Sequence, residues 1–298
     1  MNRTRLVTVI CWAISAVALS GLVLWFLLSG IFSFGFGFGV DFIGLGSYEP
    51  VATHSVSADD IDSLSIDWTS GRVTIGTHEG SEIQITELAR RDLRAGEELR
   101  QSISGGTLTI EFMEQRRLTG INNFTKQLEV LIPHTLSENL ERFHATTVSG
   151  RIVVSGIHAA DFTANTTSGR IELFSVQAED IYLRTVSGRI DTTNTEAQSL
   201  RTHTTSGRHE LSGSFGEVNA RSTSGRIAVI STVVPESLTA RTTSGRISVT
   251  VPRAEAISVQ YSTTSGRFTS EIPILTHGGA DAQFNLSTTS GRIEILGR

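Results

Sequence analysis

Cysteine, lysine and proline are scarce in this sequence. Of its 298 residues one is cysteine and five are proline, and Lys126 is the only lysine among the 25 lysine and arginine residues. The single cysteine, Cys11, cannot form an internal disulfide or a cysteine-rich zinc module. The net charge of −5 excludes a polybasic nucleic-acid binder, so no nucleic-acid partner is expected. Because nearly all of the positive charge is arginine, the positions of the arginines are the first clue to function.

An uncharged apolar segment lies near the amino terminus. No residue between Arg5 and Asp41 carries a formal charge, and residues 6–32 are mostly apolar, which is long enough for a helix that crosses a bilayer. Two arginines precede this segment, so the positive-inside rule predicts a cytoplasmic tail at 1–5 and an extracytoplasmic location for the rest of the chain. A cleavable signal peptide is the alternative. We predict a single-pass anchor in the cell membrane at 6–32, followed by a juxtamembrane linker at 33–59.

A tripeptide repeat dominates the remainder of the chain. Ser-Gly-Arg occurs nine times, with its glycines at Gly71, Gly150, Gly169, Gly188, Gly207, Gly225, Gly245, Gly266 and Gly291. From Gly150 onward the glycines are 18 to 25 residues apart. A period near twenty residues is typical of a solenoid, in which each unit buries its apolar face against its neighbours. The spacing predicts regular repeats over 150–298 and irregular rungs with insertions over 60–149.

Apolar positions flank each Ser-Gly step. The residue seven before the glycine is apolar in every copy, and the residue two after it is apolar in all but one, where His209 stands. Because side chains alternate along a strand, each copy predicts two short strands whose buried faces change parity at Ser-Gly. The glycines are therefore predicted as structural turn residues that adopt positive φ. We interpret His209 as a core residue rather than a metal ligand.

Two architectures fit this pattern: the stacked rungs of a parallel β-helix, or a row of hairpins. Ser-Gly is a poor sequence for the primed turns of hairpins. A threonine three residues before most of the glycines favours rungs, because identical hydroxyls can then stack as a ladder. The predicted fold is an all-β solenoid, a single-stranded parallel β-helix preceded by one transmembrane helix. Within the irregular part, 103–110 is interpreted as a decayed copy and 128–133 as a strand that ends at proline.

These features resemble the bacterial putative-adhesin β-strand-repeat family. The matching elements are the apolar amino-terminal segment, the strand at 128–133 with Thr135 and Leu136 after it, the segment 249–252, and the strand-Ser-Gly-strand units. The resemblance implies a right-handed β-helix displayed outside the cell membrane and an adhesin-like role. A fold by itself does not settle a function.

The arginine after each glycine is the main candidate for binding. In stacked rungs these side chains form an outward column, in which neighbours about 4.8 Å apart repel each other by about 1 kcal/mol in water. One interpretation is structural, with the guanidinium groups covering the turn and pairing with acids such as Glu172, Asp191 and Glu210. The other is a receptor for an anionic cell-envelope polymer or for another envelope protein. The candidate binding residues are Arg151, Arg170, Arg189, Arg208, Arg226, Arg246, Arg267 and Arg292.

Signals for catalysis are weak. The sequence contains no Gly-x-Ser-x-Gly elbow, Walker loop, dinucleotide fingerprint or zinc-type histidine spacing, so no catalytic residue, metal site or cofactor is predicted. The leading hypothesis is a non-enzymatic adhesin-like binding or scaffolding surface at the bacterial cell envelope. The alternative is a polysaccharide-active enzyme that uses paired carboxylates from neighbouring rungs, about 5 to 9.5 Å apart. The sequence leaves the ligand and the oligomeric state open.

Overall fold

A computed structural model describes residues 47–112, 124–253, 256–275 and 280–298. The predicted cytoplasmic tail, the predicted transmembrane helix and most of the predicted linker lie outside these residues. No helix within the described ranges is long and apolar enough to cross a membrane. The end of the predicted linker forms a strand that pairs with the repeat domain.

The described residues form twenty strands and one four-residue helix, α1 (His134–Ser137). The strands are β1 (Glu49–Ser57), β2 (Ser63–Ser70), β3 (Val73–His78), β4 (Glu82–Ala89), β5 (Arg100–Ser104), β6 (Thr107–Glu111), β7 (Gln127–Pro133), β8 (Leu140–Ser149), β9 (Ile152–Ser155), β10 (His158–Ser168), β11 (Ile171–Phe174), β12 (Gln177–Ser187), β13 (Ile190–Ser206), β14 (His209–Ser224), β15 (Ile227–Ser231), β16 (Ser237–Ser244), β17 (Ile247–Val251), β18 (Ile257–Ser270), β19 (Ile274–Leu275) and β20 (Gln283–Gly297).

The strands stack into two parallel ladders. Strands that precede a Ser-Gly step form the first ladder, in the order β6, β2, β8, β10, β12, β13, β14, β16, β20 and β18. Strands that follow it form the second, in the order β7, β3, β9, β11, β13, β14, β15, β17, β20 and β18. The all-β solenoid predicted from the repeat is confirmed, since each regular rung is one copy of the repeat.

The rungs do not follow the order of the chain at either end of the stack. At one end β20 lies between β16 and β18, so residues 257–270 form the outermost rung and cover residues 283–297. At the other end β6 and β7 lie outside β2 and β3. The spacing of the repeat does not reveal these exchanges, because parallel strands joined by long connections can pair out of sequence order.

The interpretation of residues 103–110 as a decayed copy is wrong. β5 and β6 form an antiparallel hairpin that turns at Gly105 and Gly106, and Ile103 is 57% exposed. The rung is instead made by β6 and β7, on either side of an insertion. The strand predicted at 128–133 is confirmed as β7.

Apolar columns fill the space between the ladders. The ring of Phe143 stacks on that of Phe162 in the next rung, with 4.5 Å between centroids. His209 is fully buried in the same core, and its Nδ1 lies 2.7 Å from the Thr202 hydroxyl oxygen. Burial lowers the pKa of the His209 imidazole to about 4. The interpretation of His209 as a core residue is confirmed.

The glycines of the repeat are required for close stacking rather than for their backbone angles. Of the nine, only Gly71 and Gly225 have positive φ, so the predicted reason is wrong for the other seven. A Cβ added to Gly188 would lie 1.7 Å from the carbonyl oxygen of Gly169 on the neighbouring rung. Equivalent approaches of 1.7 to 2.1 Å occur at every glycine of the repeat. A side chain at these positions would therefore force the rungs apart.

The threonines before the glycines bond mainly to backbone oxygens. Thr147 and Thr166 hydroxyls lie 3.0 Å apart, as in the predicted ladder. Thr185, Thr242 and Thr288 instead donate to glycine carbonyl oxygens of the neighbouring rung, at 3.2 to 3.4 Å. The threonine column thus ties each corner to the next one.

Lys126, the only lysine, takes the place of the glycine in the outermost rung beside β2. It is fully buried, and its Nζ forms an ion pair with Glu87 and donates to the carbonyl oxygen of Glu97 at 2.7 Å. The indole nitrogen of Trp68 donates to the Lys126 carbonyl oxygen at 3.0 Å. Burial lowers the pKa of Lys126, against the opposing effect of Glu87. The ion pair of Lys126 and Glu87 therefore lies at this end of the apolar core. Beyond it the sheet continues with antiparallel strands, since β4 pairs with β7 and β1 pairs with β4.

Candidate functional site

Each repeat arginine lies beside its counterpart on the neighbouring rung. The amide of Ile171 donates to the Arg189 carbonyl oxygen at 2.9 Å, and equivalent bonds recur along the stack. At the outermost rung Arg267 is in register with Arg292. The order along the stack is Arg72, Arg151, Arg170, Arg189, Arg208, Arg226, Arg246, Arg292 and Arg267. The structure brings all the candidate binding residues to one side of the stack, with the last two exchanged relative to the chain.

In the middle of this column, acids neutralise the arginines. Three carboxylates, each two residues after an arginine, lie in register on neighbouring rungs: Glu172, Asp191 and Glu210. They contact guanidinium nitrogens at distances of 2.8 to 3.9 Å. The arginines paired in this way are Arg151, Arg170, Arg189 and Arg208.

The ion pairs change the titration of their members. Arg170 donates to Glu172 Oε1 at 2.8 Å, and this hydrogen bond raises the pKa of Arg170. Burial raises the pKa of Asp191, and the nearby charges of Arg189 and Arg170 partly offset that rise. These contacts hold the guanidinium groups against the protein surface. For this stretch of the column the structural interpretation fits.

The next two rungs lack the acids. Ala228 and Ser248 stand in register with Glu210, where a carboxylate would be needed. Arg226 and Arg246 are exposed and form no ion pair within the part of the chain that the structure describes. On the following rung Arg292 again pairs with its own glutamate, Glu294, at 3.0 Å. Arg226 and Arg246 are therefore adjacent cations that can bind an external anion.

Further arginines lie on the outer face of the first ladder in the same rungs. Four residues before the glycines, one column in register consists of Arg184, His203, Arg221 and Arg241. Arg221 and Arg241 are exposed, and neither forms an ion pair with any described residue. Arg221 and Arg226 lie on one rung, and Arg241 and Arg246 lie on the adjacent rung. We call Arg221, Arg226, Arg241 and Arg246 the arginine quartet.

Hydroxyl groups lie between the two sides of the quartet. Thr223 and Ser224 on one rung, and Thr243 and Ser244 on the next, are all exposed, and the two serines are in register. Hydroxyls can donate to phosphate or carboxylate oxygens. Guanidinium groups bind the same oxygens in pairs through their planar donors. The quartet and these hydroxyls thus form a surface rich in donors for anions.

A shallow pocket of about 320 Å³ adjoins Arg241. Its lining includes Gln260, Tyr261, Asn285 and Ser287. Tyr261 is 47% exposed, and its ring stacks on Phe268 with 4.0 Å between centroids. An aromatic ring and amide groups beside a cation suit an organic group that carries a negative charge.

The quartet was not predicted as a unit from the sequence. Arg226 and Arg246 are among the binding residues predicted from the sequence, but the pairing of Arg221 with Arg241 depends on the register of β14 and β16. The available signal is the residue two after each arginine, which is acidic after Arg208 and uncharged after Arg226 and Arg246. Among the described residues, no group of three or more histidine, cysteine or acidic side chains could hold a metal ion.

Comparison with known proteins identifies the fold. A solved structure of a putative adhesin from Parabacteroides merdae aligns with 82% of this chain and 95% of its own, with 14% identity and a TM-score of 0.55. A putative adhesin from Bacteroides fragilis aligns with 82% of this chain and 96% of its own, with 12% identity and a TM-score of 0.52. These structures are similar in fold. No curated protein matches the chain.

A family profile described as Toastrack DUF4097 matches residues 61–296, which include every Ser-Gly-Arg copy. Together with the adhesin structures, this match confirms the resemblance to the putative-adhesin repeat proteins. Because the match covers most of the sequence and the two stacked ladders, this chain belongs to the Toastrack DUF4097 family.

Proposed function

We propose that this protein is a non-enzymatic binding protein of the bacterial cell envelope, and that its arginine quartet holds an anionic envelope polymer. The observation that carries the proposal is the uncharged register position beside Arg226 and Arg246, in a column whose middle arginines are all paired with acids. The ligand class is a polymer with repeated phosphate or carboxylate groups.

Electrostatics supports this choice of ligand. Neighbouring rungs lie about 4.8 Å apart, so adjacent unpaired guanidinium groups repel each other by about 1 kcal/mol in water. In the middle of the column the protein's own carboxylates offset this repulsion. At the quartet an external anion can do so. A polymer with regularly spaced charges can contact both rungs at once, which increases its affinity over that of a single anion.

The predicted location fits the same ligand. A membrane anchor at 6–32 with its basic end in the cytoplasm would display the solenoid outside the membrane. The two similar solved structures carry the description putative adhesin. We propose that the protein lies at the outer face of the cell membrane, with the quartet facing envelope polymers.

The test compares two fourfold variants of the full-length protein, purified in a mild detergent. One is Arg221→Gln, Arg226→Gln, Arg241→Gln and Arg246→Gln. The matched control is Arg151→Gln, Arg170→Gln, Arg189→Gln and Arg208→Gln, which removes the same charge from the acid-paired stretch. Binding to teichoic acid and to polygalacturonate is measured over a series of salt concentrations.

We expect the quartet variant to lose at least about hundredfold in affinity, because four charge-assisted contacts disappear, and to lose most of its salt dependence. The control variant should change by less than about threefold, since its arginines are already paired. Equal losses in both variants, or unchanged binding by the quartet variant, would overturn the proposal. The same incubations test the polysaccharide-active alternative, because an enzyme would release shorter chains.

A further inference from the structure

A second concave surface lies apart from the arginine face, and we propose that it binds a glycan chain without acidic groups. It is a groove of about 750 Å³ lined by residues of successive rungs, from Asn139 and Leu140 at one end to Phe215 and Gly216 at the other. This volume lies within the range of known ligand sites, about 300 to 1,000 Å³. The arginine quartet contributes none of its lining.

A column of small residues forms the floor of the groove. Ala159, Ala178 and Ala197, each ten residues before a repeat glycine, are in register on adjacent rungs. Leu140 and Phe215 continue the register of this column at its two ends, but their side chains are buried in the core. The column crosses five rungs, which corresponds to a length of about 19 Å at about 4.8 Å per step. The groove therefore runs along the stack, across the strand direction, and is long enough for several units of a polymer.

Amide and carboxylate side chains lie along both walls. The polar lining residues on either side of the floor are Asn139, Glu141, Gln177, Glu179, Glu196 and Gln198. Gln177 is in register with Glu196, and Glu179 lies beside Gln198. Side-chain amides both donate and accept hydrogen bonds, whereas carboxylates accept them from hydroxyls. This mixture is suited to the vicinal hydroxyl and amide groups of sugars.

The charge of the groove lining predicts a ligand of a different class from that of the quartet. The lining contains four glutamates, Glu138, Glu141, Glu179 and Glu196, and its only basic side chain is His158. Such a surface repels polyanions. Because the groove crosses the strands, it offers no open strand edge, so an extended peptide cannot bind by adding a strand. A neutral or amino-bearing glycan, held by side chains alone, satisfies both conditions. The proposal goes beyond the anion-binding function and does not depend on it.

The test uses the full-length protein and chitin oligosaccharides, in their acetylated and deacetylated forms, by titration calorimetry. The variant Gln177→Ala/Gln198→Ala removes two wall amides. We expect an affinity loss of about tenfold, because two hydrogen-bonding side chains are lost. The matched control is Gln84→Ala/Gln101→Ala, which removes two exposed glutamines outside the groove and should leave affinity unchanged. The quartet variant should also bind normally.

A further variant, Glu179→Gln/Glu196→Gln, separates hydrogen bonding from charge. It keeps one acceptor oxygen on each side chain and should bind the acetylated oligosaccharide within about threefold of the original protein. A lysine-rich peptide serves as the competing ligand. The proposal is overturned if neither oligosaccharide binds, if the wall amides prove irrelevant to affinity, or if the peptide binds in preference to the glycan and is lost in the glutamine variant. Thermal unfolding of each variant verifies that the fold is retained.

Discussion

The middle rungs and the rungs of the quartet have the same backbone arrangement, but their arginine side chains have different neighbours. Arg170 and Arg189 are held by Glu172 and Asp191, whereas Arg226 faces a register position occupied by an alanine. The Ser-Gly-Arg tripeptide is the same in both regions. The difference shows that the tripeptide specifies the corner, while the ion pair of an arginine depends on an acid two positions after it or at the same position of the next rung, as Glu172 does for Arg170 and Arg151.

This contrast has little to do with stability. Ion pairs between partly exposed side chains contribute about 0 to 1 kcal/mol each to the free energy of unfolding. Loss of the acids from two rungs therefore costs the protein little, and it releases two guanidinium groups for binding. A solenoid can thus vary its surface charge rung by rung without altering its core.

The largest predicted effect tests whether the glycines of the two regions pack equally closely against the neighbouring rung. Gly188→Ala in the acid-paired stretch and Gly245→Ala in the quartet place a Cβ 1.7 and 1.9 Å from a carbonyl oxygen of the neighbouring rung. Each should lower the free energy of unfolding by about 3 kcal/mol or more, since the rungs must separate. Denaturant unfolding measures this loss. Ser187→Ala and Ser244→Ala are the controls and should change the free energy of unfolding little. A large loss of stability in only one region would contradict equally close packing of the glycines in both.

The second prediction concerns the core beneath the acid-paired rungs. The pKa of His209 is about 4 in the folded chain against 6.5 for the free side chain, so protonation favours the unfolded chain. The stability contribution of neutral His209 is complete above pH 6.5 and is lost as the pH falls towards 4, by about 3 kcal/mol in total.

Thermal unfolding between pH 7 and pH 4 measures this loss, and the double variant Thr202→Val/His209→Ile should remove most of it. His203→Asn, which changes the half-buried histidine nearby, is the control and should leave the transition in place. If the loss of stability at acid pH persists in the double variant, the surface ion pairs cause that loss and His209 does not. The acid-paired rungs and the quartet rungs would then differ in stability as well as in charge.

The smallest effect on stability, and the most direct on binding, comes from exchanging the acids. Ala228→Glu/Ser248→Asp extends the carboxylate ladder beside Arg226 and Arg246, and should weaken polyanion binding about tenfold. Glu172→Gln/Asp191→Asn should strengthen binding in the middle rungs by releasing their arginines. Both changes should alter the free energy of unfolding by less than about 1 kcal/mol. If the added acids leave polymer affinity unaltered, the distinction between the regions has no bearing on binding.

The sequence by itself determined the repeat, the two strands of each rung and the side chains that face the core. These follow from local rules, because glycine spacing and apolar alternation are readable without knowing which strands are neighbours. The burial of His209 and the strand at 128–133 could be predicted in the same way.

Only the tertiary structure decided which rungs are adjacent, and several functional features depend on that. The exchange of β18 and β20, the burial of Lys126 against Glu87 and the reason for the repeat glycines all arise from contacts between segments far apart in the chain. The quartet and the glycan groove likewise exist only when rungs stack in register. Inter-rung pairing is set by the packing of the whole solenoid, and the identity of a single repeat does not encode it.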